Sequence, residues 1–167
     1  MKIEFGAGET PAYPDYKKCD IRDVEGIDFV CNAWEIDQHV EADTVEHVFS
    51  RHFLEHLTYR QAFAYADACY KIIKPGGVFE FVIPNFVWHV RQWLTEDNVM
   101  GFNIDDPFQR GIDGLWGKQR GELEDLWDVH KSGWKEWQAH KLCTGAGFTK
   151  VETVESKIKN LHIKAVK

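Results

Sequence analysis

Apolar and polar positions alternate in short runs along most of this chain, and stretches of helical period fall between them. Residues 2–5 (KIEF), 18–21 (KCDI), 29–33 (FVCNA) and 46–50 (EHVFS) read as four short strands. Between 58 and 73 the period changes, with Phe63, Ala66, Tyr70 and Ile73 recurring at helical spacing. Thr58 stands where a helix cap belongs, and Lys74-Pro75-Gly76-Gly77 ends the helix because proline cannot continue its hydrogen-bond ladder. Residues 78–83 read as a buried strand stopped by Pro84-Asn85, and 86–94 as an amphipathic helix. Residues 98–122, rich in glycine, aspartate and aromatics, read as loop. A helix follows over 134–144, with Ser132 as its cap and Gly145 and Gly147 at its end. Two alternating strands, 149–155 and 161–166, close the chain.

This order predicts an α/β architecture in one domain over 1–167, with a seven-stranded, mostly parallel sheet and helices on both faces. The closing hairpin predicts that the last strand runs antiparallel beside the fifth. The first strand begins almost at residue one, so no helix is expected ahead of it. Pro11 and Pro14 shorten the first connection, so the helix usual there is cut down. Residues 86–131 form an insertion after strand five. So long a segment in a small domain is usually functional, often a lid. It holds Trp88, Trp93, Trp116 and Trp127, with Trp134 and Trp137 just beyond, which fits either a substrate wall or a small satellite core.

Composition narrows the function. Apolar residues make up 44% of 167, and charged residues 28%, which suits a globular chain rather than a disordered one. A net charge of -7, with only Lys17-Lys18 and the scattered Lys157, Lys159, Lys164 and Lys167 as basic clusters, disfavours a phosphate track, so no nucleic-acid partner is expected. The four cysteines, Cys19, Cys31, Cys69 and Cys143, form no C-x-x-C pair. Their apolar settings suggest free thiols in a reducing, cytoplasmic compartment. No stretch reaches the length of a membrane span, and the N-terminus has no apolar run of signal length.

Candidate chemistry begins directly after the first strand, at Gly6 and Gly8. Two glycines at this spacing let a backbone approach a ligand closely, and serve equally as a tight turn. Asp20 ends the second strand, where a carboxylate can accept both hydroxyls of a ribose. Turn and acid together are more specific than either alone.

Six ordered segments carry a resemblance. They are Glu4-x-Gly6-x-Gly8; Asp20; Ser50-Arg51-His52-Phe53-Leu54-Glu55-His56; Tyr70-Lys71-Ile72-Ile73-Lys74-Pro75-Gly76-Gly77; Val82-Ile83-Pro84-Asn85; and Gly145-Ala146-Gly147-Phe148. In this order they resemble the small class I S-adenosylmethionine-dependent methyltransferases, close to the methyltransferase-11 type. The chain departs from that pattern at Thr10, where a third glycine is common. It departs again at Asn32, where an aspartate often faces the adenine amine, and at Asn85, which replaces an aspartate.

The resemblance implies a Rossmann-like class I methyltransferase fold that binds S-adenosylmethionine. It implies a cofactor site built from Glu4, Gly6, Ala7, Gly8, Asp20, Ile21, Asn32, Ala33, Trp34, Arg51 and His52. The Asn32 carbonyl can still accept from the adenine amine, and Trp34 either stacks on the ring or packs in the core. A small-molecule acceptor methylated on oxygen or nitrogen is the expected partner. Asp128-Val129-His130-Lys131 resembles a histidine segment of that family, so His130 is the candidate catalytic base; a capping or structural histidine is the alternative.

Two other readings compete. One is a cofactor-binding domain without catalysis, serving as an interaction module. The other is a zinc hydrolase, because His52-Phe53-Leu54-Glu55-His56 also spells H-x-x-E-H. That motif must lie on a helix and find a third ligand. The pattern instead puts a strand before it and the clear helix after it, so no metal is expected. Glu55 and His56 then anchor the strand-to-helix junction by hydrogen bonds.

Overall fold

The structure, a computed structural model, describes residues 1–8, 11–94, 113–117, 127–155 and 159–167. Its seven strands are β1 (Lys2–Phe5), β2 (Lys17–Asp20), β3 (Phe29–Val30), β4 (Val45–Arg51), β5 (Ile73–Pro84), β6 (Thr149–Glu155) and β7 (Asn160–Val166). They form one sheet in the order β3-β2-β1-β4-β5-β7-β6. The first five are parallel, and β7 lies antiparallel between β5 and β6. The expected hairpin beside strand five is therefore present. The chain order reverses direction at β1, with β2 on one side and β4 on the other. Ligands of open parallel sheets bind at such a switch point, outside the carboxyl ends of the strands.

The helices are α1 (Tyr59–Ile72), α2 (Phe86–Leu94), the single turn α3 (Asp113–Trp116) and α4 (Glu136–Ala146), with 3-10 turns at Ala33–Gln38 and Leu54–His56. Thr58 caps α1 as its sequence suggests: its Oγ1 accepts from the Gln61 N–H, and Gln61 Oε1 accepts from the Thr58 N–H at 2.9 Å. Such a box stabilises a helix start by about 1 kcal/mol. No helix of the described residues is long and apolar enough to cross a membrane.

The boundaries differ from the sequence pattern in four places. Ile21 lies beyond β2 and is half exposed. β3 keeps only two residues: the Cys31 N–H still bonds to the Asp20 carbonyl, and the chain then leaves the ladder for the 3-10 turn Ala33–Gln38. β5 begins directly at Ile73; Gly76 takes a φ of +78°, and the ladder to β4 shifts register there. Ser132 does not cap α4: it is buried, and its Oγ accepts from Trp134 Nε1 at 2.8 Å and donates to the Leu54 carbonyl. The helix starts later, from Lys135, whose N–H is taken by Gln138 Oε1. Gly147, with φ +105°, closes α4 as expected. Of the loop expected over 98–122, the described part contains the turn α3; the rest, like Thr10, lies outside the described residues.

One face of the sheet carries the core. Ile3, Phe5, Phe79, Phe81, Ile83, Ile163 and Ala165 are essentially inaccessible and pack under α1 and α4. Tyr65 of α1 meets Phe5 and Phe79 edge-on, and Phe148 stacks on Phe79. On the opposite face the alternate residues Val78, Val82, His162, Lys164 and Val166 are only half-buried. There the β1–β2 connection, which forms no helix among its described residues, lays Tyr13 and Tyr16 against Phe49 and His47. Glu4 holds that connection down, its two oxygens accepting the Ala12 and Tyr13 N–H groups at 2.8 and 2.9 Å.

Candidate active site

A pocket opens at the carboxyl ends of β1, β2 and β3. Gly6, Asp20, Ile21, Asn32, Ala33, Trp34 and His52 all line it, as the sequence suggests. Gly6 has φ +62°, and a Cβ there would stand 2.5 Å from Phe53 Cδ2, so only glycine fits between β1 and the turn after β4. Gly8 has φ +52°.

Asp20 is buried and strongly bonded. Arg22 gives it its backbone N–H at 3.0 Å, Nε at 3.1 Å and Nη2 at 3.1 Å. Burial raises the Asp20 pKa, but the Arg22 hydrogen bonds and charge and the Gly8 N–H outweigh it, leaving the carboxyl below its ordinary range. Arg22 has no signal in the sequence pattern; only the turn after β2 brings it back onto the acid.

Asn32 donates its amide nitrogen to Glu35 Oε2 at 2.9 Å. Its carbonyl oxygen is thereby left as the acceptor, the role expected opposite an adenine amine. Cys19 and Cys31 meet on the same wall with Sγ atoms 3.7 Å apart. Hydrogen bonding between them lowers the Cys31 pKa and raises that of Cys19.

Four expected residues stand elsewhere. Glu4 is spent on the Ala12 and Tyr13 amides. Ala7, Gly8 and Arg51 are not on the pocket wall, and Arg51 is exposed at the end of β4. Residues that pattern alone does not reveal complete the wall: Phe53, Leu57, Gln61, Trp127 and Lys131 beside Arg22. Among the tryptophans, Trp127 lines the pocket while Trp134 is buried in the main core.

The H-x-x-E-H segment straddles the end of β4 and a 3-10 turn, not the helix its zincin reading needs. His52 takes φ +51°, a conformation rare for a side chain of this size. Its Nδ1 donates to Glu55 Oε1 at 3.2 Å. Glu55 and His56 do anchor a junction, but with a distant segment. The Glu55 carbonyl accepts the Lys131 and Ser132 N–H groups, and His56 Nδ1 donates to the Val129 carbonyl at 3.2 Å. His130 therefore comes to this cluster, its Nε2 4.0 Å from Glu55 Oε1 and its ring centroid 5.0 Å from that of His56. Its ring is one layer behind the pocket wall, which His52 and His56 form. Burial lowers the His130 pKa, with Glu55 opposing.

Comparison with solved structures bears on the fold. The chain superposes over 99% of its length on 85% of a SAM-dependent methyltransferase from Archaeoglobus fulgidus, with TM-score 0.63 and 14% identity. It covers 82% of a possible histamine N-methyltransferase from Thermotoga maritima, with TM-score 0.63 at 11% identity over its full length. It spans about half, 47%, of the CurJ carbon methyltransferase, with TM-score 0.60 and 15% identity over 99% of this chain. The fold is that of the class I S-adenosylmethionine-dependent methyltransferases. No family model and no curated protein matches the sequence.

Proposed function

We propose that the chain binds S-adenosylmethionine in this pocket and methylates a small-molecule acceptor on oxygen or nitrogen. The convergence of Gly6, Asp20 and the Asn32–Trp34 turn on one pocket carries the reading. The residues suit the cofactor: a turn from which a Cβ is excluded, a buried acid at the end of β2 for the ribose, and an amide oxygen for the adenine amine. Bound there, S-adenosylmethionine supplies an activated methyl group on a sulfonium. The protein's part is orientation and electrostatics. Asp20 and Asn32 fix the nucleoside, Gly6 admits it close to the backbone, and Trp34 covers it.

The acceptor enters from the side of His52, His56 and Trp127, which line that end of the pocket. With the cofactor bound, an alcohol or amine acceptor would have to release a proton as it took the methyl group, the carbon–sulfur pair going to sulfur. His130 is the residue we assign to favouring that proton's departure: it stands one layer behind the wall, its ring 5.0 Å from that of His56 and its Nε2 4.0 Å from Glu55 Oε1, and acts on the charge there without touching the acceptor. The net-acidic, aromatic sequence of residues 86–131 favours a neutral or amine-bearing acceptor over a phosphate-rich one.

Calorimetry with S-adenosylhomocysteine, followed by turnover assays on amines and alcohols, tests this. Saturable one-to-one binding with turnover is expected. Binding with no turnover on any acceptor would favour a cofactor-binding interaction module, and absence of binding would refute the reading.

A further inference from the structure

The cluster behind the pocket wall has an arrangement that hydrogen bonding among its members does not satisfy. Glu55, His56 and His130 each offer one ligand atom, and the three lie within 4.8 Å of one another. Glu55 is 1% exposed, yet its Oε2 has no hydrogen-bond partner among the described residues. A buried carboxylate oxygen left alone is costly. A neutral imidazole has one N–H and one lone pair. His56 spends its N–H on the Val129 carbonyl and keeps a lone pair on its other nitrogen. A neutral His130 ring likewise has one lone pair to offer. His130 Nε2 stands 4.0 Å from Glu55 Oε1, too far for a hydrogen bond. Two lone pairs and a carboxylate facing one space call for a positive charge between them.

We propose that Glu55, His56 and His130 form a binding site for one divalent first-row transition ion at the acceptor end of the pocket. Two imidazole nitrogens and a carboxylate oxygen suit such ions. The Val129 carbonyl that takes the N–H of His56 is the kind of outer-shell partner that orients a metal-binding histidine. Donors bonded at about 2.0–2.2 Å stand roughly 3–4 Å apart around an ion, so the three draw in by about 1 Å on binding. The frame is stiff: His130 N–H bonds to the Trp116 carbonyl, and the two residues after it bond to Glu55. Three protein ligands leave a coordination position open, and His56 lies on the pocket wall, so the open position faces the acceptor. An acceptor hydroxyl held there would ionise more easily. That role rests on the methyltransferase reading; the binding of the ion does not.

A second cluster, Glu80 with His47 and His162, provides the contrast. Its carboxylate oxygens already face imidazole nitrogens at 3.1 and 2.7 Å, leaving no space for an ion.

The test is titration of Co²⁺ into metal-free, full-length protein, followed by visible absorption and calorimetry. One equivalent is expected to bind, with d–d bands of nitrogen and oxygen ligation. Affinity should fall at least tenfold in His56→Gln and in His130→Gln, and stay within twofold in His162→Gln. Thermal melts confirm folding, and the partly exposed His56→Gln carries the test if His130→Gln is unstable. Absence of binding, binding unchanged in the folded variants, or loss confined to His162→Gln would overturn the site. S-adenosylhomocysteine binding to the parent is measured separately; its failure would refute the cofactor reading and leave the ion site standing.

Discussion

Arg22 clasps Asp20 through both edges of its guanidinium, Nε to Oδ1 and Nη2 to Oδ2, each at 3.1 Å. The acid expected to hold a ribose is thus already satisfied, and a diol must displace the guanidinium to reach it. Arg22 is 44% exposed, so the exchange costs little, about 1 kcal/mol or less. Asp20→Ala removes two charge-assisted hydrogen bonds, each worth roughly 1.5–3 kcal/mol, and should weaken S-adenosylhomocysteine binding at least tenfold. Arg22→Ala should tighten it by a few-fold. Calorimetry checks both, and weaker binding in Arg22→Ala would make the arginine a cofactor ligand instead of a competitor.

Gly6 and Gly76 separate backbone strain from crowding. Both have positive φ, but a Cβ on Gly76 meets nothing within 4 Å, whereas one on Gly6 runs into the Phe53 ring. Gly76→Ala should cost about 1–2 kcal/mol, the penalty of the left-handed conformation alone. Gly6→Ala adds overpacking, for roughly 2–4 kcal/mol in all. Urea denaturation measures the difference; equal costs would mean that Phe53 swings away freely.

Glu80 should shape the acid limb of stability. The His47 imidazole beside it, then that of His162, hold its carboxyl down to about 2 against the opposing effect of burial, while Tyr13, Tyr16 and Lys164 share the same sheet face. The unfolded chain's value is 4.5, so the unfolded state takes the proton first as pH falls. The contribution is complete above that value and is lost on the way down to the folded one. By pH 3 the parent should lose about 2 kcal/mol that Glu80→Gln does not. Denaturant midpoints at pH 3 and 6 in both proteins decide it.

Cys31 offers a chemical readout of the pocket. Its lowered pKa and partial exposure should make it the first of the four thiols to react with iodoacetamide. Because it lines the pocket, saturating S-adenosylhomocysteine should slow that reaction about tenfold. Peptide mass mapping identifies the site, and unprotected alkylation would place the ligand elsewhere.

His130→Ala should lower turnover at least tenfold and leave S-adenosylhomocysteine affinity within about twofold, since the ring stands behind the wall and not on it. Steady-state kinetics beside calorimetry separates the two. Undiminished turnover in a folded variant would remove His130 from the reaction.

The sequence by itself determined the elements whose signals are local. Thr58 and Gln61 lie one turn apart, so the capping of α1 is decided between near neighbours. Alternation in β7 marks its buried face, and Gly147 marks the end of α4, for the same reason. The ordered motifs also placed Gly6, Asp20 and the 32–34 turn on one pocket, because parallel strands deliver their carboxyl ends to one edge. Tertiary structure decided what these residues are bonded to. Glu4 serves the β1–β2 connection, Arg22 occupies Asp20, and Ser132 reaches Leu54 instead of capping a helix. It also decided that Glu55 and His56 meet His130, a contact spanning more than 70 residues of chain, as the His56–Val129 bond at a separation of 73 shows. Local propensity carries no record of such distant partners; they are selected by the packing of the 127–133 segment onto the turn after β4, where buried polar groups must find one another or remain unsatisfied.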